Sequence, residues 1–154
     1  LVALGALAYL ISPHPGVLVP VLLDILLLVL LGPTLESALG HTRFCALCLL
    51  GGLLAVTARA LLHDGTPGPI VFGAAGASAA VFGGYLARYP KARVLTMILV
   101  PFVAGLVELP AVLFLTAWLI AEILLAGGST SYATHGGAFV LGLLLVGSFA
   151  KASA

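Results

Sequence analysis

The chain has 154 residues, of which 62% are hydrophobic and only 7% charged, and its net charge is +1. An average soluble domain is about 25% charged, so this chain cannot cover a water-facing surface. A soluble enzyme, a nucleic-acid binder and a disordered tail are all excluded, and a mean hydropathy of +1.29 makes lipid the principal solvent.

A membrane helix needs about 20 apolar residues to cross the hydrocarbon core. Five or six such spans use up nearly all of the 154 residues, so residues 1–154 read as a single transmembrane domain. Residues 1–11 are apolar but too short to cross, and they read as the end of a truncated first helix. Ser12-Pro13-His14-Pro15-Gly16 is a turn, because two prolines and a glycine disfavour helix. Residues 17–39 form a long apolar run ending in Gly32-Pro33-Thr34-Leu35-Glu36, and residues 43–62 form the next. A loop from His63 to Pro69 leads into 70–88, an apolar stretch rich in Gly and Ala. Arg88-Tyr89-Pro90-Lys91-Ala92-Arg93 is a basic loop. Residues 94–107 are apolar, contain Pro101 and fall short of a span, so a re-entrant or interfacial piece is expected there. Residues 109–126 and 134–150 supply the last two crossings, with a Gly127-Gly128-Ser129-Thr130 loop between them.

With five crossings, Arg43, Arg88, Lys91, Arg93 and Lys151 fall on one side and Arg59 alone falls toward the other. The positive-inside rule makes the first side cytoplasmic. Polar side chains within membrane segments are costly and call for an explanation. Asp24, Ser78 and His135 then all belong to the outer half of the bundle. Glu108 and Glu122 are expected at the bundle's edges, facing water or a neighbouring helix, and are given no role.

Ser78 lies in the small-residue segment Gly73-Ala74-Ala75-Gly76-Ala77-Ser78-Ala79-Ala80. Small residues let helices approach closely. If regular helix begins near Gly76, the Ser78 amide is one of the unpaired donors of the first turn, where the helix dipole favours an oxyanion. On this segment alone, a packing serine is the simpler reading. His135 begins a thin helix start, Gly136-Gly137-Ala138, that suits packing against residues 73–84. Such packing joins a hydroxyl to an imidazole, the usual activator of a serine; an interfacial histidine is the competing reading. No acid is placed to orient His135, so a dyad is expected rather than a triad. Cys45 and Cys48 read as small apolar residues, and the histidines share no metal-ligand spacing.

These segments resemble the rhomboid family of intramembrane serine proteases, from about His14 to Leu145. Gly76-Ala77-Ser78-Ala79-Ala80-Val81-Phe82-Gly83 is similar to the family's Gly-x-Ser-Gly segment and its following aromatic. Thr134-His135-Gly136-Gly137-Ala138-Phe139 is similar to its His-x-Gly-Gly-Phe segment, with Ala138 for the second glycine. Residues 32–40 resemble its second-helix exit, and Val107-Glu108-Leu109-Pro110-Ala111 lies where its fifth helix begins. The resemblance implies an all-α, six-helix transmembrane bundle with a water-filled outer cavity. It implies Ser78 as nucleophile, His135 as general base and Phe82 near the imidazole. The expected activity is endopeptidase cleavage in or near the transmembrane helices of substrate proteins, with no cofactor, no metal and no nucleic-acid partner. The expected location is the plasma membrane, with the site toward the extracytoplasmic side. The family's second-helix His and Asn, which help hold the oxyanion, correspond here to Pro20 and Asp24, so the oxyanion would be held by Asp24 and the segment around Ser78. The first loop is also shorter than in many bacterial members. A weak or inactive relative that binds membrane helices is the alternative. A small transporter broken at 94–107 is a third reading, with no inverted repeat to support it.

Overall fold

The computed structural model describes residues 18–62, 71–100, 103–126 and 132–152. In chain order these form α1 (Leu18–Leu39), α2 (His41–Leu62), α3 (Val71–Arg88), β1 (Arg93–Val100), β2 (Val103–Pro110) and α4 (Ala111–Ala126). A π-helical turn (Tyr132–Gly136) then runs directly into α5 (Gly137–Ala152). The helices follow the expected runs 17–39, 43–62, 70–88, 109–126 and 134–150 closely. The truncated helix expected over residues 1–11 lies outside the described residues, as do His14, His63, Pro101 and the Gly127-Gly128-Ser129-Thr130 loop. By length and hydropathy together, His41–Leu62 qualifies among the described residues as a membrane span, while Ala111–Leu124 and Ala133–Phe149 are shorter apolar helices.

The burial pattern is that of a protein dissolved in lipid. Leu26, Val29, Leu30, Leu53, Leu124 and Leu144 all point outward, whereas the centre is built from small residues. In lipid, apolar side chains gain nothing by leaving the solvent, so helices associate through close backbone packing. α3 is the central helix, buried without interruption from Gly76 to Leu86. α2 meets it with the stripe Leu47, Gly51 and Ala55, one residue per turn. A side chain on Gly51 would reach Gly76 O at 2.8 Å, and one on Gly52 would reach Gly73 O at 2.9 Å. α5 crosses the other face, where Gly83 lies against the Phe139 carbonyl and Gly142 against the Ala80 carbonyl. A Cβ at either glycine would overlap those backbone atoms. α1 contributes Leu27, Leu31 and Leu35, again one per turn. Gly40, with φ 81°, ends α1 in the left-handed conformation that glycine adopts without strain. Its N–H donates to Glu36 O at 2.8 Å, so α2 can start at the next residue.

The expected re-entrant or interfacial piece at 94–107 is instead an antiparallel hairpin, with Arg93 opposite Pro110 and Val100 opposite Val103. A short apolar run has no periodicity that separates strand from helix. The hairpin's neck is closed by Ala111 N–H donating to Ala92 O at 2.8 Å. An exposed ion pair, Arg93 to Glu108 at 3.6 Å, braces the strands. The chain therefore leaves and rejoins the bundle at one end. At that same end, the Arg43 guanidinium of α2 lies 5.3 Å from the centre of the Phe149 ring of α5.

Candidate functional site

The opposite half of the bundle gathers the polar side chains. Ser78 and His135 are both 5% exposed. They are carried by the two elements that the Gly83–Gly142 crossing presses together, and both lie on the N-terminal side of that crossing. Ser78 is about two turns inside α3, which starts at Val71 and not near Gly76. Its amide is therefore an ordinary helical donor, and the expectation of a first-turn amide for an oxyanion is overturned. The Ser78 hydroxyl donates to Ala74 O at 2.8 Å, the bond back to the preceding turn that helical serines often make. No hydrogen bond joins Ser78 to His135 among the described residues.

His135 sits in the π-helical turn, a local widening that recurs at functional sites. Thr134 Oγ1 lies 3.2 Å from its Nδ1. Its Nε2 lies 3.9 Å from Glu122 Oε2, and both side chains are almost fully enclosed. The expectation that no acid faces His135, and that Glu122 belongs at the bundle's edge, is thus corrected. Glu122 extends the buried stripe Ala111, Leu115, Trp118 of α4, spaced to stay on one helix face. That spacing was readable in the sequence. The face was not, because α4 is apolar on every side and marks no preferred direction. Glu108, by contrast, is exposed at the hairpin neck, facing water as expected.

Asp24 of α1 completes the cluster. Asp24 Oδ1 and Trp118 Nε1 are both buried, and neither closes a hydrogen bond. The Trp118 ring is held edge-on by Phe82, with centroids 4.7 Å apart. Pro20 lies in the first turn of α1. At the other end of the bundle, His41 Nδ1 is 2.6 Å from Glu36 Oε1 and its Nε2 is 3.6 Å from Cys45 Sγ, all on exposed surface. No group of three or more metal-ligating side chains occurs among the described residues.

The arrangement supplies a hydroxyl, an imidazole and two carboxyls in a small-residue interior, the parts of an acyl-transfer site. A family model described as the Rhomboid domain matches residues 14–151. No curated protein and no solved structure matches the chain.

Proposed function

The chain belongs to the rhomboid family, a family of integral membrane proteins that are generally intramembrane serine proteases, and from that premise we propose that it is a serine endopeptidase acting on transmembrane protein substrates. Ser78 Oγ attacks the scissile carbonyl in or near a substrate's membrane helix. His135 takes the hydroxyl proton and returns it to the leaving amine, and water entering from the outer face hydrolyses the acyl-enzyme. No cofactor is needed. The active site opens to the extracytoplasmic side of the plasma membrane, opposite the five basic residues.

The observation that supports this reading is the glycine crossing of α3 and α5, which packs together the elements that bear Ser78 and His135. The Ser78–Ala74 hydrogen bond is a weak obstacle. A hydroxyl has a single donor, so it must leave Ala74 to reach the imidazole. That exchange costs about 1 kcal/mol, less than a tenfold change in rate.

A second reading is a rhomboid-like protein that binds membrane helices with little or no chemistry. Asp24 favours it, because an ionised carboxylate repels a developing oxyanion, and losing one oxyanion donor costs about 10²–10³ in rate. Labelling with a fluorophosphonate probe separates the two. The purified chain is expected to label, and Ser78→Ala is expected to abolish the label. Absence of Ser78-dependent labelling from mildly acidic to neutral pH would establish the second reading.

A further inference from the structure

We propose that Cys45 is an acyl-acceptor thiol at the hairpin end of the bundle, activated by His41 and Glu36, which takes a long-chain acyl group from an acyl-coenzyme A. The inference is independent of the Ser78–His135 reading. α1 ends at Leu39, and the left-handed Gly40 turns the chain straight into α2. The turn sets Glu36, from the last turn of α1, against His41, the first residue of α2: Glu36 Oε1 lies 2.6 Å from His41 Nδ1. Cys45 follows His41 by four residues, which puts both on one helix face, and its Sγ is 3.6 Å from His41 Nε2. The two ring nitrogens therefore have different partners. A carboxylate only accepts, so it holds the ring proton on Nδ1. Nε2 keeps the lone pair, and the thiol S–H donates to it. Carboxylate, imidazole and thiol stand in the order that orients a general base and activates a thiol nucleophile.

The surroundings of the thiol point to the donor. Cys45 and Cys48 are both free thiols and half-buried. Helical side chains lean toward the N-terminus, so the Cys45 thiol is directed to the level of His41, Thr42 and Arg43, all exposed. In the other direction Leu49, one turn deeper on the same side, is 59% exposed, and Val56, two turns further, is 47% exposed. The thiol thus lies where a polar rim meets a lipid-facing flank. A donor with the same division fits there, a hydrocarbon chain joined through a thioester to a water-soluble polyanion. Arg43, Arg88, Lys91 and Arg93 are exposed at this end and favour the phosphates of the coenzyme. Juxtamembrane cysteines are common acceptors of such chains. In the reaction, Sγ attacks the thioester carbonyl while Nε2 takes the thiol proton. The tetrahedral intermediate collapses, the old C–S bond breaks, and the departing coenzyme A thiolate takes the proton back from His41. One thioester is exchanged for another, with no oxidation or reduction.

The rival account is that Glu36 and His41 only close the turn at Gly40 and that Cys45 is an inert packing residue. The full chain carrying Ser78→Ala, in phosphatidylcholine vesicles, is incubated with an alkyne-tagged palmitoyl-coenzyme A. The tag that neutral hydroxylamine releases is followed with time, since this reagent splits thioesters and spares oxygen esters. Cys45→Ala is expected to abolish incorporation. Cys48→Ala is expected to leave it unchanged, because Cys48 lies one turn deeper and packs against the core. His41→Ala should slow it about 100-fold, the low end of general-base assistance. Added imidazole should restore part of that rate to His41→Ala and none to Cys45→Ala, a rescue that a structural role of His41 would not give. Glu36→Gln should slow incorporation less than His41→Ala does, and Glu36→Asp should recover part of the loss. Should His41→Ala fail to fold, His41→Gln is measured in its place with the same expected loss. No incorporation at Cys45, equal incorporation at Cys45 and Cys48, or a rate that the His41 variant leaves unchanged overturns the proposal.

Discussion

A carboxyl at position 24 meets two opposed demands. It is a half-buried carboxyl in an apolar helix, and it occupies the place where the family resemblance puts an amide that steadies an oxyanion. Ionised, it opposes the negative charge of the tetrahedral intermediate; protonated, it donates a hydrogen bond, as a neutral acid does in some other enzymes. Asp24→Asn supplies a permanent N–H donor and should therefore raise the labelling rate at neutral pH, by up to roughly 100-fold. An equal or slower rate at neutral pH would show that Asp24 does not face the oxyanion. Ser78 and His135 stand out as candidates in the sequence because each lies in a local pattern of small residues. Glu122 was not, because its partner lies on another element and is brought to it only by packing. The start of α3 at Val71 was also hidden. Gly73 and Gly76 signal close approach as readily as they signal a helix end, and here they serve the contact with α2.

At the scale of elements, two glycines set the spacing of the site. Gly83 and Gly142 let α3 and α5 touch backbone to backbone, and the yielding partner in each case would have to be a carbonyl and not a flexible side chain. Gly83→Ala or Gly142→Ala is expected to force the helices apart. The cost should be about 1–3 kcal/mol, read as a lower midpoint in reversible unfolding, together with loss of probe labelling. Gly147→Ala is the control, since nothing lies within 4 Å of its added methyl, and it should leave both measurements unchanged. The positions of the five helices were legible from apolar runs bounded by Gly, Pro and charge. The hairpin was not. Residues 93–100 combine β-branched and straight apolar side chains in a run too short to declare a period. Strand pairing depends on a second segment, Val103–Pro110, that carries no strand signature of its own.

For the whole molecule, the distribution of charge is the ground for the proposed orientation in the bilayer. The basic residues Arg43, Arg88, Lys91 and Arg93 lie at the hairpin end, and the Ser78–His135–Glu122–Asp24 cluster lies in the other half. In a background lacking Cys45 and Cys48, Lys91→Cys should react with a membrane-impermeant maleimide in inverted vesicles and not in intact cells. The opposite result would invert the topology and place the site on the cytoplasmic side. The hairpin has a further consequence for this plan. Its two strands run out and back, and its base is pinned where Ala111 meets Ala92. α3 therefore hands over to α4 at almost the same point in space, whatever hangs between them. Val94 at the base packs into the core, so it is the part of the hairpin beyond it where the chain can exchange one appendage for another over evolutionary time, or accept a grafted domain in the laboratory, while the bundle stays as it is.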